Sequence, residues 1–389
     1  MTLFFESLVQ HFGWWLAALW PGRHAGAPLS ARRLLFLLLL YPAFLVLQLL
    51  HWLGLLCDEL FFRGYRRVEV NAPVFILGIP RSGTTFLHRS LAADRARFTS
   101  CTTWEALLAP SITERRLLRA AARIDRALGA PLQQLARRLC GSATSDFNTI
   151  HEVGLHAPEE DYLCLLPAGA CFILLLAFPF APRLRQLGQL DTLPARQRAR
   201  LLQFYRSILQ RQLYCHPGRQ LLSKNAAFAS WAQALKTAFP NAKFLVCVRE
   251  PGTALSSQLS SLAPARHSFG TDPDGTHTAT LFTRLYAHGY ASLDAFIRNT
   301  PPDQATLIAQ SDLHAAPVAT ITAALDQVQL QRSTTLNQSL AKLQPGNKSA
   351  HQHDPKDFFL DPAKIAHSMQ PHYESLLRSP NRVKKMQTL

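Results

Sequence analysis

The chain has 389 residues, 48% of them hydrophobic and 17% charged, long enough for one large α/β domain or two smaller ones with a substantial core. Its formal net charge of +16 is spread as single and paired arginines, without a long basic tail, which suits an anionic ligand, an anionic membrane surface or nucleic acid. Seven cysteines, an odd number without a C-x-x-C pair, argue against zinc and fit scattered core residues in a reducing compartment.

In chain order, "LFFESLVQHFGWWLAALW" comes first and reads as an interfacial helix, with Glu6, Gln10 and His11 among its aromatics. No secretory cleavage site is evident near it. Next, "LLFLLLLYPAFLVLQLLHWLGLL" (Leu34 to Leu56) has no charged residue and reaches the ~20 residues a bilayer span requires. Arg32 and Arg33 precede it and Arg63, Arg66 and Arg67 follow, so the flanking charge leaves its orientation open. Pro42 either kinks a span or divides the segment into two surface-lying helices, and a buried core helix is the other alternative. A hairpin with the first apolar stretch would put both ends on one side.

From Val74 onward, short β-like runs alternate with helical patterns, which predicts a mostly parallel sheet with helices on its faces. "VFILG", "QLLS", "KFLVCV" and "ATLIA" read as strands; Thr84 to Ala92, Thr113 to Leu139 and Ala195 to Cys215 read as helices. The expected fold class is α/β, a P-loop-like parallel sheet flanked by helices and preceded by an apolar membrane-associated helical segment. The expected division is an apolar region over residues 1–70 and a catalytic domain over 71–389.

Chemistry concentrates in "VFILGIPRSGTTFLHRSLA". Gly78 at a strand end and Gly83 at a helix start let backbone N–H groups wrap an anion. Ser82, Thr84 and Thr85 add hydroxyl donors, and Arg81 adds a forked cation suited to phosphate or sulfate oxygens. A nucleotide kinase loop, G-x-x-x-x-G-K-[ST], carries a lysine where this chain has Thr84, and no metal-binding motif of that class follows. The loop therefore suits a donor that needs no metal ion.

These residues resemble the 5′-phosphosulfate loop of sulfotransferases that use 3′-phosphoadenosine 5′-phosphosulfate (PAPS), in the arginine-bearing branch with many bacterial enzymes and the protein-tyrosine sulfotransferases. The resemblance assigns Arg81, Ser82, Gly83, Thr84 and Thr85 to the donor. It extends to "FPNAKFLVCVREPGTALSSQLS", where Arg249 at a strand end and Ser257 in the next helix match the pair that holds the 3′-phosphate. In "LLSKNAAFASWAQALKTAFP", Lys224 matches the lysine that assists the bridging oxygen as sulfate leaves. The histidine that often follows it is replaced by Ala227, Phe228 and Ala229, so no histidine base stands there.

By the same resemblance the base is a glutamate past the loop, and Glu105 lies at a comparable position, where an apolar setting would raise its pKa. The alternative reading makes Glu105 a helix-start carboxylate. A second acidic cluster, His151, Glu152, His156, Glu159, Glu160 and Asp161, either positions the acceptor or the loop arginine, supplies the base or caps a helix after Pro158. Its spacing is not H-E-x-x-H, and no metal is expected. In the carboxyl-terminal family-like segment, Lys348 is a weaker match to a 3′-phosphate contact.

The resemblance implies an enzyme that moves a sulfuryl group from PAPS to a hydroxyl, with PAP as product and a lipid, glycan or other small acceptor. The apolar amino-terminal stretches make it membrane-associated, with the catalytic domain expected in the cytoplasm and a luminal placement as the alternative. The rivals are a P-loop kinase and a membrane-tethered nucleotide-binding protein. Nucleic acid is not an expected partner, because no helix-turn-helix, RNP or zinc signature accompanies the charge.

Overall fold

The computed structural model describes residues 2–20, 26–131, 134, 154–345 and 358–383. Five parallel strands form one sheet: β1 (Val74–Gly78), β2 (Phe98–Thr99), β3 (Gln220–Asn225), β4 (Lys243–Val248) and β5 (Ala305–Ala309), in the order β2-β3-β1-β4-β5. All five residues of β1 are buried, as the uninterrupted apolar run "VFILG" requires of a central strand covered on both faces. Ile76 is level with Lys224 of β3 and Leu245 of β4, so β1, β3 and β4 end along the same edge. The chain leaves β1 toward β3 and later passes back over it to β4. That reversal opens a crevice at the carboxyl ends of the central strands, where open α/β sheets place their ligands.

The strands read from the sequence are present, and β2, two residues long, is the one the pattern did not show. The helices Thr84–Ala92 and Ala195–Cys215 have the expected bounds. The helix expected from Thr113 starts at Ile112, where Ser111 and Glu114 form a capping box, and runs to Ala127. Residues 135–139 of its expected extent lie outside the described residues, as do His151, Glu152 and Lys348.

Two amino-terminal helices, Thr2–Ala18 and Ala31–Phe61, lie antiparallel. The Trp15 indole donates to the Leu37 carbonyl at 2.7 Å, His11 meets the Tyr41 hydroxyl at 2.9 Å, and the Phe4 and Trp52 rings meet edge to face. Ala31–Phe61 is 31 residues long and apolar enough to cross a membrane by length and composition. Pro42 does not divide it: the helix is continuous from Ala31 to Phe61, with a π turn, Phe36–Leu40, directly before the proline.

One face of this helix packs along the sheet domain from end to end. Arg33 donates to the Phe269 carbonyl at 3.1 Å, Trp52 to that of Pro167 at 3.0 Å, and Asp58 pairs with Arg211 at 2.8 Å. The Asp58 carboxylate also accepts the amides of Ile112 and Thr113. Tyr41, Phe36 and Trp14 join Phe178, Tyr205 and Phe75 in a single core, so residues on both sides of position 70 share one interior.

Candidate active site

β1 ends in Gly78 because nothing larger fits: a Cβ there would lie 2.2 Å from the Cys247 carbonyl oxygen of β4. The loop then turns into the helix Thr84–Ala92 through Gly83, whose φ of 89° favours glycine. Leu87 is the first amide to bond back, to the Gly83 carbonyl at 3.1 Å, so the preceding N–H groups have no partner within the helix. Amides of this kind, at the positive end of a helix dipole, form an anion cradle.

Arg81 has a φ of 69°, a conformation few side chains with a Cβ adopt. Its Nε donates to Ser257 Oγ at 3.1 Å, and its carbonyl accepts from Arg249 Nη1 at 3.1 Å. Two guanidinium groups and one hydroxyl from two sequence regions thus meet above the ends of β1 and β4. The Arg249 pKa is lowered, first by burial and then by the charge of Arg81, so the arrangement gains from an anion between them. Glu250, the nearest acid in sequence, is turned to cap the next helix through the amides of Gly252 and Thr253. Tyr290 and Tyr286 buttress the crevice by donating to the carbonyls of Arg249 and Pro80, at 2.5 and 3.3 Å. Ser82 departs from the expected role of hydroxyl donor. Its Oγ is fully buried and donates to the Ile79 and Cys247 carbonyls at 2.6 and 3.1 Å, leaving only its amide for the cradle.

Lys224, 2% exposed near the end of β3, brings Nζ within 3.3 Å of Thr85 Oγ1 and 2.7 Å of Glu160 Oε1, with Glu159 at 3.7 Å. The acidic pair is held there by backbone bonds: Thr103 donates to the Ala157 carbonyl at 3.1 Å, and Glu159 to that of Cys101 at 2.8 Å. Asp161 points the other way, accepting from Tyr205 at 2.8 Å and from the side-chain amide of Asn225, whose Oδ1 accepts from the Tyr162 amide at 2.9 Å. Burial pushes the Asp161 carboxyl up to about 6, with these hydrogen bonds opposing the shift. His88, behind the lysine, is lowered to about 3 by burial and by the charge of Lys224, and stays neutral.

Glu105 is not the apolar, proton-hungry carboxylate that the sequence suggested. Burial alone would raise its pKa, but Arg115 and the Thr102 hydroxyl and amide outweigh that and hold it below the usual carboxylate range. Its Oε2 accepts from Thr102 N and Oγ1 at 3.1 and 2.9 Å in a capping box, and its Oε1 faces Arg119 and Arg115 at 3.5 and 3.8 Å. The helix-start alternative describes it. Nothing in the local sequence announced Arg115, ten residues farther on, as its partner.

Past β2 lies a cavity of about 450 Å³ lined by Trp104, Glu105, Arg119, His156, Pro158 and His216, among others; it reaches Pro158, next to the acidic pair, while Glu105 and not Glu159, Glu160 or Lys224 is on its wall. A second cavity of about 600 Å³ shares Arg119 and His156 and runs along the helix Ile112–Ala127. No group of metal-ligating side chains occurs among the described residues.

Residues 73–334 match the model of the sulfotransferase family. The fold is similar to that of the sulfotransferase STF1 from Mycobacterium tuberculosis H37Rv, with a TM-score of 0.67 and 19% identity over 93% of this chain and 91% of that one. It is also similar to STF9 from Mycobacterium avium, with a TM-score of 0.65 and 15% identity over 83% and 80% of the two chains. Among curated proteins, none matches this chain.

Proposed function

The chain belongs to the sulfotransferase family, and from that premise we propose that it transfers a sulfuryl group from PAPS to the hydroxyl of a lipophilic acceptor at a membrane. The observation that carries the donor assignment is the convergence of Arg81 and Arg249 beside Ser257 and the loop amides, two cations brought together at an anion cradle. Arg249 and Ser257 would hold the 3′-phosphate. The amides from Ser82 to Thr85, the Thr84 and Thr85 hydroxyls and Arg81 would hold the phosphosulfate.

Lys224 stands between this cradle and the acidic pair, so its ammonium would stabilise charge on the bridging oxygen as the bond to sulfur breaks. Glu160, the carboxylate nearest that lysine, takes the place expected of Glu105. It would accept the acceptor's hydroxyl proton while the acceptor oxygen bonds to sulfur and PAP departs. Arg81 and Lys224 supply the positive charge that a metal ion supplies in kinases. The cavity that Trp104 and His156 line would receive the acceptor, with positioning contributing much of the rate. The enzyme would face the cytoplasm, where PAPS and a reducing environment meet the free thiols.

The test is incubation of the full chain with sulfur-labelled PAPS and membrane lipid extracts, with products identified by mass. A sulfated lipid formed by the wild type and lost in Lys224→Met supports the reading. PAP binding without transfer to any lipid extract, when glycans or peptides are sulfated instead, overturns the lipophilic acceptor. Failure to bind PAP overturns the donor.

A further inference from the structure

The helix Ala31–Phe61 has two faces, and they give it opposite instructions. The inward face carries Gln48, His51 and Asp58, all buried. His51 Nδ1 meets Glu114 Oε1 at 2.6 Å and Asp58 binds Arg211, while Arg33, 25 positions before Asp58, donates to the Phe269 carbonyl. At a rise of ~1.5 Å per residue, these contacts tie ~37 Å of helix to the sheet domain. A perpendicular bilayer crossing would carry Arg211, Glu114 and their neighbours into hydrocarbon, which charged groups avoid.

The outward face is apolar along its length. Leu35, Leu38, Val46, Leu49, Leu53 and Leu60 are exposed at intervals of three, four, seven or eight residues, one helical stripe. The antiparallel helix Thr2–Ala18 adds exposed Phe5, Val9, Phe12 and Leu16 at the same kind of spacing. The helix Ile112–Ala127, joined to the long helix through His51 and Asp58, adds exposed Leu117, Leu118 and Ile124. An apolar surface this extensive marks an interaction site.

The charge around it selects the occupant. Arg63 and Arg67 at the end of the long helix, and Arg116, Arg123 and Arg126 on the third helix, are exposed. The acids of these segments turn elsewhere: Asp58 and Glu114 face inward, and Glu59 pairs with Arg66 and Arg211. A second copy of the chain would set one basic rim against another. An anionic bilayer meets both the apolar stripes and the rim.

We propose that these three helices dock the enzyme in the plane of an anionic phospholipid membrane, entering one leaflet without crossing it. The cavity that shares Arg119 and His156 runs along the third of these helices, so docking would bring the acceptor chamber beside the lipid. This rests on the membrane-associated reading above and adds the mode of attachment.

The binding test is co-sedimentation of the full chain with phosphatidylcholine vesicles, with and without phosphatidylglycerol, for wild type and Leu49→Asp/Leu53→Asp. The expected result is binding that rises with phosphatidylglycerol and falls about tenfold or more in the variant while its PAP affinity is unchanged. For topology, Ala31→Cys and Arg67→Cys, in a background with Cys57, Cys140 and Cys215 changed to serine, are treated in spheroplasts with an impermeant maleimide. In-plane docking predicts that both positions are shielded until lysis and then react alike. One position reactive before lysis would overturn the in-plane mode and leave membrane association standing. A wild type that stays in the supernatant with both vesicle types would overturn both, and so would self-association of the chain with the outward stripe buried between copies.

Discussion

The proposed donor side and the proposed acceptor side of this site are built in different ways. The donor cradle is local: one strand, one turn and one helix start, Val74 to Ala92, supply the loop, and Arg249 with Ser257 comes from one further strand-helix junction. The acceptor side is assembled from Lys224 on β3, Thr85 on the loop helix and an acidic pair fixed by backbone bonds to residues 101–103. A local device shows itself in sequence as a motif. An assembled one exists only after folding, and two acidic stretches compete for the same role until the structure shows where each carboxylate points.

The largest effect that would sharpen this contrast is on the acceptor side. Lys224→Met should lower the single-turnover rate of sulfuryl transfer by about 10²–10³ with PAP affinity nearly intact. Glu160→Gln should cost a comparable factor of about 10²–10³, which steady-state rates would show. If Glu160→Gln were silent and Glu105→Gln inactive at unchanged stability, the assignment of roles would be reversed.

On the proposed donor side, Arg249→Ala should weaken PAP binding about 10- to 100-fold, measured by calorimetry, because it removes one charge-assisted contact. Glu105→Gln should leave the transfer rate within about threefold, yet lower unfolding stability by roughly 2–4 kcal/mol in denaturant titration. The Thr102 capping box would weaken and buried Arg115 would lose its carboxylate.

The smallest effect concerns pH. The folded-state pKa of Asp161 lies near 6, above its unfolded value of 3.8, so this group binds more protons when folded and its contribution to stability falls as pH rises from about 4 to 6. Asp161→Asn should remove that loss, so the variant's stability relative to wild type should improve by on the order of 2 kcal/mol between pH 4 and 7. Glu105 works in the opposite sense: its pKa is depressed, and its contribution is present above the unfolded value and lost as pH falls. Comparing Asp161→Asn with Glu105→Gln across pH separates the two.

The sheet was legible because β1, β4 and β5 are buried and read as largely apolar runs, and because β3 keeps the apolar pair Leu221–Leu222 ahead of its polar end. β2 was not, because two residues, Phe98 and Thr99, carry no pattern. The loop glycines and Arg81 were legible from turn chemistry. The inward turn of the Ser82 hydroxyl was not, since it depends on the Cys247 carbonyl 165 residues away. The long apolar helix was recognised from composition. That its buried face is the polar one, carrying Gln48, His51 and Asp58, follows only from the partners that fold against it.

The central claim, a cradle shaped for a 3′-phosphorylated donor, is tested most directly by titrating the full chain with PAP and with adenosine 5′-monophosphate, which lacks the 3′-phosphate. The account predicts that PAP binds at least about tenfold more tightly and that Arg249→Ala removes the difference. Equal affinity for the two nucleotides, or a preference for PAP that survives Arg249→Ala, would contradict it.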